Sequence, residues 1–298
     1  MSRFAFAFAA VFGLSGCSSL DMVNAFTPSP GGLPLTLSYG SSERQRVDVY
    51  QAGRRKPLVI FFYGGSWNSG SRTDYRFVAR AFNELGYSVA IPDYRLTPEA
   101  LYPDFLKDSA QAISLLINRA EEFGADPERV ILVGHSAGAY NAMMVALDQR
   151  WLSPLDRQRI RGVIGLASPV NFLPIQLPAA RLAFHWPNTP RDSQPIEHVS
   201  PNSPPILFIN ANNDPLVDPR INSIAMAEKL RAANVYVEVE NFDGPLGMIN
   251  HARLVATLSP TFQFLSPTLD KSRAFIERVT RLEEVISSVS TLVELTES

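Results

Sequence analysis

Short apolar runs alternate with helical segments along most of this chain of 298 residues. The apolar runs predict strands over 46–51, 57–63, 87–92, 129–134, 161–167, 205–210 and 235–240. The remaining periodic segments predict helices over 72–85, 103–123, 137–148, 219–233 and 271–282. Strands that alternate with helices form a mostly parallel sheet with helices on both faces, so the pattern predicts one large α/β domain over residues 45–298. In such sheets ligands bind beyond the carboxyl ends of the strands.

The composition is that of an ordinary globular protein, because 46% of the residues are hydrophobic and 19% are charged. This balance excludes a disordered chain. The net charge of −2 provides no broad positive surface, so we expect no nucleic-acid partner. With one cysteine and four histidines, we expect no intrachain disulfide and no metal or organic cofactor.

The first residues are typical of a targeting segment. Arg3 precedes an apolar run over 4–14, and small residues follow that run. A charged start, an apolar core of about 7–15 residues and small residues at its end describe a signal peptide. The run is too short to span a bilayer, which needs about 20 residues. We therefore expect residues 1–16 to be a signal peptide; a buried core helix is the alternative.

The only cysteine of the chain lies at the end of this apolar run. Leu14-Ser15-Gly16-Cys17 resembles the lipobox of bacterial lipoproteins. The resemblance implies cleavage before Cys17, lipid on its thiol and a tether over 17–44, so the membrane would be a partner through a lipid anchor. Residue 18 is not the aspartate of inner-membrane retention, which by the same resemblance indicates the periplasmic face of the outer membrane in a source with two membranes.

Gly134-His135-Ser136-Ala137-Gly138 matches the G-x-S-x-G pattern of a nucleophile elbow. A predicted strand ends directly before it and a predicted helix begins directly after it. Such a turn exposes Ser136 at the N-terminus of the helix, where the helix dipole favours negative charge. Ser136 is the predicted nucleophile; a glycine-rich turn with an incidental serine is the alternative. His135 leaves the turn in another direction, and we expect it to pack or to lie at the edge of a pocket.

A serine hydroxyl needs a base to take its proton, and histidine is the usual base near neutral pH. His251 follows the last predicted strand and a glycine-containing loop, which places it at the carboxyl end of the sheet. His251 is therefore the predicted base. His185 and His198 lie in a proline-rich segment and are interpreted as surface residues.

The acid that orients the base is expected between the serine and the histidine in chain order. Asp214 closely follows the predicted strand 205–210 and is the favoured acid. Asp218 is the competitor, but it directly precedes Pro219 and suits a helix cap.

A glycine-containing loop follows the strand 57–63, in the order Tyr63-Gly64-Gly65-Ser66-Trp67. Acyl transfer produces an oxyanion, which needs preorganised N–H donors. The predicted donors are the backbone N–H groups of Gly65, Ser66 and Ala137, whereas a simple Gly-Gly turn is the alternative. Trp67 is expected in the pocket wall.

Five segments together resemble the α/β-hydrolase carboxylesterases of the hormone-sensitive-lipase and kynurenine-formamidase-like kind. They are FFYGGSWNSGSR (61–72), DYRLTPEALYPDFLKD (93–108), ADPERVILVGHSAGAYNA (125–142), PPILFINANNDPLVDP (204–219) and NHARL (250–254). The resemblance implies an α/β-hydrolase fold, a Ser136 nucleophile, an Asp214 acid, a His251 base and an oxyanion loop at 64–66. It also implies hydrolysis of small carboxylic esters, with a small-molecule ester as the partner of the site.

The chain departs from the family pattern at three positions. Tyr63 replaces the histidine that usually precedes the oxyanion glycines, Ser66 replaces the third glycine of the lipase-type loop, and Asn250 replaces the glycine before the catalytic histidine. Tyr63 is placed in the substrate pocket as a possible phenol donor to the oxyanion, and His135 is placed at its edge.

Residues 170–204 interrupt the sheet pattern and are predicted to form a short cap. Its aromatic and aliphatic side chains are candidates to line an acyl pocket: Phe172, Leu173, Phe184 and Trp186. Three other functions stay open at this stage: a formamide-cleaving amidohydrolase with the same triad, a carbohydrate deacetylase, and a hydrolase fold without catalysis that acts as an envelope binding protein.

Overall fold

The computed structural model describes residues 19–27, 32–53 and 55–281. The predicted signal peptide over 1–16 and the predicted lipidation site at Cys17 lie outside the described residues. Within the described ranges, no helix is both long enough and apolar enough to cross a membrane.

The described strands form one eight-stranded sheet in the order β1-β2-β4-β3-β5-β6-β7-β8. Their bounds are β1 Leu35–Ser38, β2 Arg46–Tyr50, β3 Lys56–Phe62, β4 Ser88–Pro92, β5 Ala125–His135, β6 Ile160–Leu166, β7 Ile206–Ala211 and β8 Val237–Phe242. Strand β2 pairs antiparallel with β1 and β4. The pairs β4–β3, β3–β5, β5–β6, β6–β7 and β7–β8 are parallel. The carboxyl ends of β3 to β8 therefore meet at one edge of the sheet.

Helices connect these strands. Their bounds are α1 Ser19–Phe26, α2 Arg76–Glu84, α3 Asp104–Asn118, α4 Ala137–Leu147, α5 Pro154–Gln158, α6 Pro178–Ala183, α7 Ala225–Ala232, α8 His251–Ala256 and α9 over 268–281. The predicted helix 103–123 is shorter than expected, because Arg119 leaves the helical conformation and a 3₁₀ turn follows it. Likewise, the predicted helix 219–233 begins with a π-helical turn, Arg220–Ile224.

The centre of the core is the pair β3 and β5. The side chains from Leu58 to Phe62 in β3 and from Val130 to Val133 in β5 are fully buried. A continuous apolar strand of this kind is buried on both faces of a parallel sheet, as the sequence predicts. These two strands form the base from which the predicted oxyanion loop, 64–66, and the turn at Ser136 project.

The predicted tether over 17–44 is wrong for two parts of that range. Helix α1 lies against the turn before α2, where the Asn24 side chain donates to the Asp74 carbonyl oxygen at 2.7 Å and Val23 is buried. Strand β1 pairs with β2 and buries Leu37. Single apolar residues in short elements attach this segment to the domain, and a segment with so few of them carries no clear periodicity in the sequence.

The segment 170–204, predicted to form a cap, lies between β6 and β7. It contains helix α6 and two 3₁₀ turns. The side chain of Gln194 accepts a hydrogen bond from the Phe172 N–H at 2.8 Å, and the Tyr140 hydroxyl of α4 donates to the Ser193 carbonyl oxygen at 2.7 Å. The first bond joins the two ends of the insertion, and the second attaches the insertion to the helix that follows the predicted nucleophile.

Candidate active site

Ser136 lies at a tight turn between β5 and α4. Its φ of 53° and ψ of −122° lie in a region that residues other than glycine rarely adopt. The flanking glycines let the turn pack closely against β3 and against itself. A Cβ on Gly138 would lie 2.0 Å from the Phe62 carbonyl oxygen, and a Cβ on Gly134 would lie 2.5 Å from the Gly138 carbonyl oxygen. The strand–turn–helix context that the sequence predicts is therefore present.

A continuous chain of hydrogen bonds joins Ser136, His251 and Asp214. The Nε2 atom of His251 lies 2.8 Å from the Ser136 Oγ, and its Nδ1 atom lies 2.7 Å from the Asp214 Oδ2. The three residues come from the end of β5, the loop after β7 and the start of α8. The structure thus brings together the three residues that the sequence singles out.

Asp214 is held as a carboxylate in a buried position. Burial raises the pKa of its carboxyl, but hydrogen bonds from His251 and from the backbone N–H groups of Val217 and Leu216 outweigh that effect and lower the pKa. Both backbone N–H groups donate to the Asp214 Oδ1 at 2.9 Å. Because Oδ1 is occupied in this way, Oδ2 remains directed at the imidazole.

The other candidate acid and histidines are bound elsewhere. The Asp218 carboxylate pairs with the Arg220 guanidinium at 2.6 Å and accepts from the Arg220 backbone N–H, which fits the capping alternative. The imidazole Nε2 of His185 lies 2.6 Å from the Tyr102 carbonyl oxygen, and that of His198 lies 2.7 Å from the Asp192 carbonyl oxygen. None of these three side chains takes part in the hydrogen-bond chain at Ser136.

The loop after β3 lies directly beside Ser136. A Cβ on Gly64 would lie 2.9 Å from the Ser136 Cβ, and a Cβ on Gly65 would lie 2.2 Å from the Ser69 carbonyl oxygen. Gly65, Ser66 and Trp67 all have positive φ, at 131°, 50° and 58°. Ala137 begins α4, and the first N–H groups of a helix have no partner within the helix. Of the three predicted oxyanion donors, Ser66 and Ala137 line the same cavity as Ser136, and Gly65 directly precedes Ser66.

A cavity of about 330 Å³ opens beside Ser136 and His251. The predicted wall residue Trp67 lines it, and the Trp67 indole N–H donates to the Asn141 side-chain oxygen at 3.0 Å. Of the four cap candidates, Phe172 and Leu173 line the cavity. The remaining lining is mainly aliphatic: Pro174, Ile175, Leu177, Ala180, Pro215, Leu216, Val217 and Ile221.

The other two cap candidates do not line this cavity. Phe184 is fully buried behind Trp67, with ring centroids 4.7 Å apart, while Trp186 is about half exposed and stacks under the Arg181 guanidinium. Leu216, Val217 and Ile221 line the cavity but were not among the predicted pocket residues. Their signal is an apolar cluster directly after the predicted acid, where the chain must turn back over the carboxyl ends of the strands.

The placement of Tyr63 in the substrate pocket is wrong. Its ring is fully buried and stacks between Tyr75 and Tyr94, with centroids at 5.5 Å and 5.0 Å. Its hydroxyl donates to the Asp93 carboxylate at 2.7 Å and accepts from Arg44 at 2.8 Å. Side chains alternate across a strand, so Tyr63 points into the core while the next residues turn toward the site.

His135 also lies outside the cavity. Its ring is buried behind His251, with ring centroids 5.2 Å apart, and its Nε2 lies 2.9 Å from the His251 carbonyl oxygen. The packed alternative therefore describes His135, and its assignment to the pocket edge is wrong.

Within the residues that the structure describes, no group of three or more His, Cys, Asp or Glu side chains is arranged to hold a metal ion.

Most of this site lies in the part of the chain that matches a known family. The family model described as BD-FAE matches residues 47–230, which is more than half of the chain. The chain belongs to the BD-FAE family. The matched range includes Ser136, Asp214 and the predicted oxyanion loop of this BD-FAE chain, and it ends before His251.

Curated relatives of the BD-FAE chain include enzymes that act on esters. The probable isoprenylcysteine alpha-carbonyl methylesterase ICMEL1 of Oryza sativa subsp. japonica is 39% identical over 114 residues, which are 37% of this chain and 27% of that protein. Esterase LipC of Mycobacterium tuberculosis is 27% identical over 269 residues, which are 79% of this chain and 65% of LipC. The chain spans about half or less of the length of the first curated relatives, at 27% and 49%.

A solved structure of esterase 2 from Thermogutta terrifontis, phosphoramylated by tabun, has a TM-score of 0.70 to this BD-FAE chain at 19% identity. The alignment covers 85% of this chain and 96% of that one. This similarity and the mostly parallel eight-stranded sheet confirm the predicted α/β-hydrolase fold.

Proposed function

We propose that the protein hydrolyses carboxylic esters with Ser136 as nucleophile, His251 as base and Asp214 as the acid that orients the base. The observation that carries the proposal is the unbroken hydrogen-bond chain from the Ser136 Oγ through His251 to the Asp214 carboxylate. The named relatives, a methylesterase and an esterase, support the same class of reaction.

The geometry supports a two-step reaction. The His251 Nε2 takes the proton of Ser136 as its Oγ attacks the ester carbonyl carbon, and the N–H groups of Gly65, Ser66 and Ala137 stabilise the resulting oxyanion. The alcohol leaves with the proton from His251, which produces an acyl-serine. Water then attacks the acyl-serine with His251 as base, and the carboxylic acid departs. Throughout, Asp214 keeps the proton of the resting imidazole on Nδ1.

The cavity supports a small, uncharged and mainly aliphatic substrate. Its volume of about 330 Å³ is at the low end for ligand sites, and most of its lining is apolar. The Asp218 carboxylate at its margin is paired with Arg220 and provides no free charge for a charged substrate. We therefore propose that the substrates are esters with short acyl chains.

A panel of p-nitrophenyl esters with graded acyl chains, together with an aryl formamide and an acetylated sugar, tests this function. We expect the highest kcat/KM on the acetate to butyrate esters and a steep decline for long chains. Ser136→Ala is the matched control, because it removes the Oγ at a helix start that tolerates alanine. If the formamide or the acetylated sugar were preferred by more than tenfold, the short-ester assignment would be replaced by that class.

We also propose that residues 1–16 are a cleaved signal peptide and that Cys17 carries a lipid anchor in the cell envelope, at the periplasmic face of the outer membrane in a source with two membranes. The support is the Leu14-Ser15-Gly16-Cys17 sequence after a short apolar run. The hydrolase domain would then follow from about residue 45, with α1 and β1 docked on it.

A further inference from the structure

His135 lies against the turn at Ser136, the predicted oxyanion loop and His251, but it does not line the cavity. It directly precedes Ser136 in the chain, and its ring is buried. Its Nε2 lies 2.9 Å from the backbone carbonyl oxygen of His251. A carbonyl oxygen only accepts, so the Nε2 of His135 carries the proton and donates this bond.

The same ring also lies against the oxyanion loop. A Cβ on Gly64 would lie 3.0 Å from the Nδ1 of His135 and 3.0 Å from its carbonyl oxygen. The Nδ1 atom is buried and has no hydrogen-bond partner among the described residues. The ring is therefore fixed by its single donated bond and by packing, with the nucleophile turn, the oxyanion loop and His251 around it.

His251 needs support of this kind because of the segment that carries it. It is the first residue of the short helix α8, after a loop in which Leu246 is 99% exposed. Gly244, Leu246 and Gly247 in that loop all have positive φ. Asp214 holds the imidazole of His251, but the backbone of His251 is held from the nucleophile turn by His135.

We propose that His135 is a positioning residue, whose Nε2–H holds the backbone of His251 at a fixed distance from Ser136 so that the imidazole meets the Oγ. The inference rests on the proposed role of His251 as the base. An error of about 1 Å in such a contact lowers turnover by about 10²-fold, because the proton transfer depends on a short, aligned hydrogen bond.

The charge state of His135 suits this role. Burial, with a further contribution from the charge of His251, lowers the pKa of His135 to about 3. The groups that face it are His251 and the Asp214 carboxylate. The ring is consequently neutral near pH 7 and adds no positive charge beside His251 when that residue takes the proton of Ser136.

Substitution of His135 by glutamine or asparagine tests the hydrogen-bond donor separately from the imidazole ring. The side-chain amide of glutamine ends near the position of the histidine Nε2, whereas that of asparagine ends near Nδ1. We expect His135→Gln to keep kcat within about fivefold of the wild type, and His135→Asn to lower kcat by about 30-fold or more with KM within about twofold. Both would be measured on p-nitrophenyl acetate, and folded protein would be verified by circular dichroism.

Several results would overturn the inference. If both the Gln and the Asn variant kept the kcat of the wild type, the Nε2–H donor would not be needed. If both folded variants lost kcat to the same extent, the whole ring, and not its donor, would matter. If the Asn variant failed to fold, His135→Met, which has a similar volume and no donor, would take its place under the same criteria. A parallel His251→Ala variant that kept its activity would instead refute the proposed function itself.

Discussion

Backbone strain is concentrated around Ser136. Ser66, Trp67, Ser136 and Ala167 all have positive φ, and they follow the carboxyl ends of the neighbouring strands β3, β5 and β6. Each such residue costs on the order of 1–3 kcal/mol and persists only where its surroundings determine its conformation. The fully buried side chains of these strands fix the positions of the strand ends, so the packed core holds the strained residues in their conformation.

Asp214 and Asp218 provide a matched pair for a test of the proposed acid. We expect Asp214→Asn to lower kcat by about 10³–10⁴-fold, because the amide no longer favours the proton on the His251 Nδ1. Asp218→Asn should change kcat by less than about threefold, since its carboxylate pairs with Arg220 at the surface. Steady-state rates on a short-acyl ester check both values. A larger loss at Asp218 than at Asp214 would reverse the assignment.

The buried His135 predicts a loss of stability in acid. Its pKa is about 3 in the folded protein against an ordinary value of 6.5, so the unfolded chain binds more protons between these values. The contribution is complete above pH 6.5 and is lost as the pH falls toward 3, by about 1.4 kcal/mol per pH unit at most. Urea unfolding at pH 7, 6, 5 and 4 should show a steeper decline for the wild type than for His135→Gln. Parallel curves would contradict a neutral buried imidazole.

The turn after strand β3 is anchored by a buried ionic network below the candidate site. The Asp93 carboxylate accepts from the Tyr63 hydroxyl, from the Arg72 guanidinium and from the Arg72 backbone N–H. Arg44 donates both to the Tyr63 hydroxyl at 2.8 Å and to the Gly70 carbonyl oxygen at 2.7 Å. Tyr63 directly precedes the predicted oxyanion loop, 64–66, and Gly70 follows it, so this network holds the chain on both sides of that loop.

Tyr63→Phe tests whether this network stabilises the fold without contributing to chemistry. Burial, with the negative charge of the neighbouring Asp93 carboxylate, raises the pKa of Tyr63 well above its ordinary value, so the phenol stays a donor. Loss of the hydroxyl should lower the free energy of unfolding by about 1–3 kcal/mol, because bonds to two charged groups disappear. We expect KM for a short-acyl ester to stay within about twofold. A large rise in KM would return Tyr63 to the substrate pocket.

The order of elements was predictable because long apolar strands and glycine-bounded helices carry strong periodicity. Ser136, Asp214 and His251 were predictable for the same reason, since each follows the end of a recognisable strand. The orientation of Tyr63 was not, because one residue past a strand end decides between core and cleft. Helix α1 and strand β1 were missed because each is short and buries only a few side chains.

The N-terminal segment contacts two elements close to the candidate site. Asn24 of α1 donates to the turn Arg72–Tyr75, which follows the oxyanion loop. The Thr27 hydroxyl lies 2.7 Å from that of Ser259, which follows α8. The segment between the proposed lipid anchor and the domain is thus attached to the turn after the predicted oxyanion loop and to the residues that follow helix α8.

Cys17→Ser tests the proposed anchor. We expect the variant to move from the membrane fraction to the soluble fraction or to remain unprocessed, with kcat on a short-acyl ester unchanged. Intact mass spectrometry of the wild type should give a chain that begins at residue 17 and carries acyl groups. A mature chain that begins at residue 17 without lipid, or one that retains Met1, would refute lipidation.

Docking of helix α1 sets the distance at which an anchored enzyme would work. Helix α1 begins at Ser19, only two residues after Cys17. Two residues of extended chain reach about 7 Å at most. A lipid on Cys17 would therefore keep the start of α1, and the domain on which α1 packs, close to the bilayer surface. Such an enzyme would meet the esters that diffuse along or leave that surface before it meets those in the surrounding fluid.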